Sequence, residues 1–148
     1  MQHVNLYIVS TGRGPRRQDI YAGYMLEAFK PDETPVTREG YNHYEDMTSM
    51  QAELHILIEA LRRLNTRCEI AVIGSEWVVN AVSSSWIEMW SKWSWITTSG
   101  EPVQYKEQWI EVEQILNNNE CTFINDVPNP YRKVMEQQIK KMKENGYV

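Results

Sequence analysis

Hydrophobic and polar positions change period several times along the chain, and each change marks an element. Residues 4–9, VNLYIV, alternate imperfectly and are rich in β-formers, which predicts a central strand. Thr11-Gly12-Arg13-Gly14-Pro15-Arg16-Arg17 reads as a turn through its glycines and proline. Residues 20–29 and 36–44 predict two further strands, separated by the turn Lys30-Pro31-Asp32-Glu33-Thr34-Pro35. Three strands joined by turns predict an antiparallel meander. The period then becomes helical over residues 48–64, where Leu54, Leu57, Ile58, Leu61 and Leu64 fall on one face. Thr48 with Gln51 fits a capping box at its start.

Downstream, residues 68–73 form a short apolar strand, 76–82 and 85–93 two short helices, and 97–102 a loop. Residues 104–116 predict a helix, 120–125 a fifth strand after the turn Asn117-Asn118-Asn119, and 131–144 a closing helix after Asp126-Val127-Pro128-Asn129-Pro130. The order β-β-β-α-β-α-α-α-β-α predicts an α/β fold. Its mixed sheet would hold a three-strand meander and two parallel strands, flanked by helices. With 148 residues, no repeat and no linker, residues 1–148 are expected to be a single domain.

Composition narrows the partners more than the fold. The net charge of −5 and a pI near 5.2 speak against a dedicated nucleic-acid binder, although a local basic patch suffices for contact. Basic residues gather in two places. Arg13, Arg16 and Arg17 mark the first hairpin tip, and Arg132, Lys133, Lys140, Lys141 and Lys143 mark the last helix. Either is a solvated charged face or a contact for a phosphate backbone. No apolar run is long enough for a bilayer and the start, Met1-Gln2-His3-Val4, lacks signal-peptide features, so a cytoplasmic location without membrane contact is the expectation. Cys68 and Cys121 lie in or beside apolar strands without CxxC spacing and read as buried free thiols. His3, His43 and His55 show no ligand spacing.

The most specific pattern is a run of tryptophans: Trp86-Ile87-Glu88-Met89-Trp90, then Trp95, Pro102-Val103 and Trp109. It resembles the W-I-x-x-W, W, P-V and W of the handle region in type 1 ribonucleases H. Ala52-Glu53-Leu54 is similar to that family's M-E-L, and Glu69-Ile70-Ala71-Val72 with Trp77-Val78-Val79 to its fourth strand and following helix. The resemblance covers nearly the whole chain, comes nearest to small ribonuclease-H-like proteins of bacterial mobile elements, and implies a ribonuclease-H-like fold acting on RNA/DNA hybrids.

In that family four carboxylates hold two magnesium ions, which clamp the attacking and leaving oxygens of a phosphodiester. Carried over one position at a time, the first carboxylate falls on Val9, with Ser10 beside it, the second on Glu53, the third on Ser75 and the fourth near Glu136. Two of the four positions therefore lack a carboxylate, and the family's histidine loop is replaced by Val127-Pro128-Asn129-Pro130. Glu76 and Asp126 are alternative acidic groups from which, with Glu53 and Glu136, a rearranged site is conceivable. The handle, basic in the family, here sets Lys92 and Lys106 against Glu88, Glu101, Glu107, Glu111 and Glu113. Tryptophans at i, i+4 spacing read as a packed helix face, with Trp93, where the family has a basic residue, expected to be exposed.

The reading these residues support is a catalytically impaired ribonuclease-H-like domain that meets RNA/DNA hybrid or another nucleic acid weakly. Glu53 and Glu136 are its residual catalytic candidates, and Arg13, Arg16, Arg17, Lys140, Lys141 and Lys143 its nucleic-acid contacts. No cofactor is expected, with Glu53 the metal ligand if there is one. Two alternatives stay open: a weak or rearranged ribonuclease using magnesium or manganese, and an accessory domain that binds a protein partner.

Overall fold

In the computed structural model, residues 1–74, 76–124 and 127–145 are described. The chain runs β1 (Gln2–Ser10), β2 (Gln18–Phe29), β3 (Pro35–Met47), α1 (Ser49–Leu61), β4 (Cys68–Ile73), α2 (Glu76–Ser83), α3 (Trp86–Lys92), α4 (Lys106–Asn118), β5 (Glu120–Ile124) and α5 (Arg132–Asn145). The five strands form one sheet in the order β3-β2-β1-β4-β5. β1 pairs antiparallel with β2 and parallel with β4, and β5 continues the parallel half. The mixed sheet and its flanking helices are those the hydrophobic pattern predicts.

β1 is buried on both faces, which explains why its sequence alternates poorly. Leu6 and Ile8 join Ile20, Ala22, Tyr24 and the apolar residues of α1 in the main core. Tyr7 and Val9 point the other way, into a smaller cluster with Met25, Ile73, Met135 and Ile139 beneath α5. β1 is thus the floor of two cores at once.

Helix α1 starts as expected, with Thr48 Oγ1 accepting the Gln51 backbone N–H at 3.1 Å. The reciprocal half of the capping box is not made, because Gln51 Oε1 is buried without a hydrogen-bond partner. The helix also ends before Leu64. Arg63 and Leu64 donate to Ala60 and Leu61, the tighter i−3 pattern of a closing turn. Leu64 still packs against the core from that turn. β3 in turn runs beyond the expected Tyr44 to Met47, through a register shift opposite Gln18 and Ile20. That irregularity brings Asp46 to Arg17, with Nε–Oδ1 at 3.1 Å.

A buried carboxylate ties the last helix to the sheet. Glu27 on β2 accepts from Asn5 Nδ2 at 2.9 Å, from the Tyr7 hydroxyl at 3.5 Å and from the Tyr131 hydroxyl. Burial, reinforced by Glu27, raises both phenols above their ordinary value and pushes Tyr131 up to about 12. A phenol that keeps its proton in the folded state stabilises the fold below the unfolded value near 10. That contribution is lost as pH rises toward 12. The expected outcome is a stability loss beginning near pH ~10, with a smaller loss over the same window in Tyr131→Phe. Urea unfolding midpoints across the alkaline range, alongside tyrosinate absorbance, check it.

Candidate active-site cleft

The carboxyl ends of β1 and β4, the β1–β2 turn and the starts of α1, α2 and α5 enclose a cleft of about 780 Å³. Its wall includes Val9, Ser10, Glu53, Trp77, Asn80 and Arg132. Close backbone approach shapes two sides. Gly12 lies so near α1 that a Cβ there would stand 2.8 Å from Ser49 Oγ. The same hydroxyl donates to the Gly14 carbonyl at 2.9 Å, which locks the arginine-bearing turn onto the helix start. Gly74, at φ +94°, closes β4 against β1, where a Cβ would stand 2.5 Å from the Ile8 carbonyl oxygen.

Glu53 projects from the second turn of α1 and is 7% exposed. Its Oε1 accepts the backbone N–H of Trp77 at 2.8 Å, so the carboxylate also serves the first turn of α2. Val9, likewise 7% exposed, is part of the apolar cluster with Met135 and presents no ligand atom. Ser10 Oγ accepts the Gly12 N–H at 3.1 Å. Among the described lining residues α5 contributes Arg132, and Glu136 pairs with it at 2.8 Å from one turn further along the helix. Ser75, Asp126 and the side chain of Glu76 lie outside the described residues.

Magnesium takes oxygen ligands, and a pair of ions needs several carboxylates between them. Among the described residues the cleft wall offers one carboxylate, two serine hydroxyls, an amide, a guanidinium and the side chains of Ile8, Val9 and Trp77. No three His, Cys, Asp or Glu side chains among the described residues converge on one point. The described donors alone do not make up a two-magnesium centre.

The signal that points to Arg132 is its place at the start of α5, one turn before a buried methionine. Met135 and Ile139 are the buried positions of α5, and Arg132 precedes Met135 by three residues, on the same side of the helix. Ser49 and Asn80 also line the cleft without having been singled out, and short polar side chains carry no spacing signal of their own.

The basic clusters lie on the surface. Arg13 and Arg16 are exposed on a turn stitched by Gln18, which donates to both their carbonyls at 2.8 Å. Arg17 is committed to Asp46. Lys140 and Lys141 are exposed, and Lys143 sits 5.3 Å above the Tyr21 ring. In the handle, Trp90 is the hub, with ring centroids 6.1, 6.2 and 5.3 Å from Trp86, Trp95 and Trp109. Trp93 is 68% exposed, as its place in the pattern predicts. One of the handle's acids is spent internally. Glu111 takes Arg62 through two contacts of 2.6 Å, and that hydrogen-bonded guanidinium holds its carboxyl below the ordinary range. His55, half-buried in α1, is held below its ordinary value by burial and by Arg62.

Residues 10–127 match the model of the RNase H family. The chain belongs to the ribonuclease H family. Ribonuclease H of Clostridium botulinum is 27% identical over 125 residues, 84% of this chain and 82% of that protein. Ribonuclease H of Acetivibrio thermocellus is 30% identical over 105 residues, 66% of this chain and 71% of its own. The fold is shared with a type 1 RNase H carrying the type 2 active-site motif, at TM-score 0.71 and 20% identity, over 94% of this chain and 70% of that one. It is also shared with the N-terminal RNase H domain of a Mycobacterium tuberculosis protein, at TM-score 0.58 and 18% identity, over 95% and 99% of the two chains. A foamy viral protease–reverse transcriptase in complex with RNA/DNA hybrid matches at TM-score 0.64 and 10% identity, over 92% of this chain and 18% of that one. Members of the ribonuclease H family generally work with magnesium or manganese when active.

The floor of the cleft rests on Gly74. Its positive φ and the 2.5 Å approach to Ile8 leave no room for a side chain. Gly74→Ala is expected to cost roughly 1–3 kcal/mol of stability, as strained left-handed positions do. Denaturant unfolding reads that cost, and an unchanged midpoint would contradict the described geometry.

Proposed function

We propose that this ribonuclease H family domain, acting as a single unit over residues 1–148, binds RNA/DNA hybrid but does not cleave it efficiently. The observation that carries the reading is Glu53, the one carboxylate on the described cleft wall, with Oε1 already bonded to the Trp77 N–H. Val9 supports it, because an apolar wall stands where the family places its first ligand. The relatives are ribonucleases H, and a foamy viral neighbour is seen with RNA/DNA hybrid, which makes hybrid the natural ligand class. Grip would come from the exposed Arg13, Arg16 and Arg17 of the β1–β2 turn and from Lys140, Lys141 and Lys143. The acidic handle contributes nothing to that grip, since a phosphate backbone is repelled by excess carboxylates. No described helix is long and apolar enough to cross a membrane, and a cytoplasmic site of action is part of this proposal.

A labelled-hybrid cleavage assay with magnesium or manganese tests the impairment. Wild type should stay at background, whereas Val9→Asp with Ser75→Asp should raise metal affinity before it raises rate. Robust wild-type cleavage that Glu53→Ala abolishes would instead establish the metal-dependent ribonuclease reading, with Glu53 as its ligand.

Binding is expected to be weak and to weaken further with salt. Each neutralised phosphate contributes about −0.9 to the slope of log affinity against log salt, so contacts from the hairpin arginines give a shallow slope. Arg16→Glu with Arg17→Glu should lower affinity and flatten that slope. Unchanged affinity would remove the hairpin from the interface. The exposed Trp93, with Trp86 and Met89 also partly bare on an acidic handle, favours a second role in binding a protein partner. A hybrid-binding defect that spares Trp93→Ala would separate the two surfaces.

A further inference from the structure

Arg132 lines the same cleft as Glu53, on the last helix, where the family's remaining carboxylate would be sought. Its backbone is firmly held. Met135, three residues on, is fully buried against the cluster under β1, and Tyr131, immediately before it, bonds to Glu27. A cation in the first turn of a helix is disfavoured by the helix dipole. Arg132 stands there nonetheless, supported by Glu136 Oε1 at 2.8 Å and sharing the cleft with Glu53. Its side chain is 66% exposed, so the guanidinium belongs to the mouth of the cleft rather than its floor.

We propose that Arg132 is the resident cation of the cleft, holding a backbone phosphate of nucleic acid without a divalent metal. The inference rests on the hybrid-binding reading and deepens it by naming the group that replaces the metal pair. A guanidinium carries five N–H donors in a planar fork that suits phosphate oxygens, and here its Nε is ion-paired with Glu136. Ser10 is placed to assist. Its Oγ accepts from Gly12 and so keeps its own proton for an anion at the mouth. Glu53, buried deeper and bonded to the Trp77 N–H, is set back from that mouth. A metal ion would have to share the cleft with the guanidinium, and like charges at such spacing repel.

Two measurements test this on the intact protein. Equilibrium binding of labelled RNA/DNA hybrid should be the same in EDTA and in magnesium. Arg132→Gln should weaken it by about tenfold or more, the scale of a lost charge-assisted hydrogen bond, and Arg132→Lys by less. Hybrid binding that requires magnesium, or that is unchanged in Arg132→Gln, would overturn the proposal while leaving hybrid binding itself standing. Manganese titration followed by electron paramagnetic resonance needs no nucleic acid. Arg132→Asp should gain manganese affinity over wild type, and adding Glu53→Gln should remove the gain. Wild type binding manganese as tightly as Arg132→Asp would show that Arg132 does not hold the metal's place. A wild type that binds no hybrid at all would defeat the hybrid-binding reading, with the manganese comparison still deciding whether Arg132 replaces the metal.

Discussion

The structure depends on the burial of α1 across the centre of the sheet. Ala52, Leu54, Ile56, Leu57, Ile58, Ala60 and Leu61 are all buried, which leaves the helix almost no solvent face. It packs on β1, β2 and β3 below and meets α2 and α4 at its sides. A large part of the stability comes from this contact, since each fully buried aliphatic side chain contributes about 1.5–3 kcal/mol. The helix also carries Glu53 as a rigid passenger, so the position of the one described cleft carboxylate is fixed by hydrophobic packing. Ser49 at its first turn fixes the neighbouring arginine hairpin through Gly14.

The second constraint works on the opposite face of β1. Tyr7, Val9 and Ile73 form a small apolar floor, and α5 seats on it through Met135 and Ile139. Glu27, Tyr7 and Tyr131 add a buried polar lock to the same contact. Val9 therefore serves the packing of α5 at the end of β1. What places Val9 in the core also places Arg132 at the cleft, since both follow from how α5 sits on β1.

The charge distribution follows the same division. The handle is built on an aromatic framework, with Trp90 among Trp86, Trp95 and Trp109. Its surface is acidic, and part of that acidity is internal, because Glu111 holds Arg62 across α1 and α4. The aromatic packing serves the fold, and the remaining carboxylates and the bare Trp93 face solvent. Eight of the fifteen lysines and arginines lie on the hairpin tip and on α5, and of these Arg132 lines the cleft.

The elements, their order and the family are legible in the sequence alone. Those follow from local periodicity, turn residues and a tryptophan spacing, all of which are properties of neighbours along the chain. It also showed that Val9 cannot bind a metal, because an apolar side chain has no ligand atom wherever it lies. Ile56 and Ala60 lie off the one-faced pattern of α1 and are nonetheless fully buried, in a helix that meets α2 and α4 as well as the sheet. The same limit applied to the cleft. Arg132 and Glu136 are one turn apart on the same side of α5, so which of them meets the cleft depends on where along its axis the helix lies once Met135 and Ile139 settle on a floor built from distant strands. The bond between Glu53 and the Trp77 backbone is likewise a meeting of segments 24 residues apart. Only tertiary packing decides such meetings, because side-chain direction on a helix is fixed relative to its neighbours but not relative to the rest of the molecule.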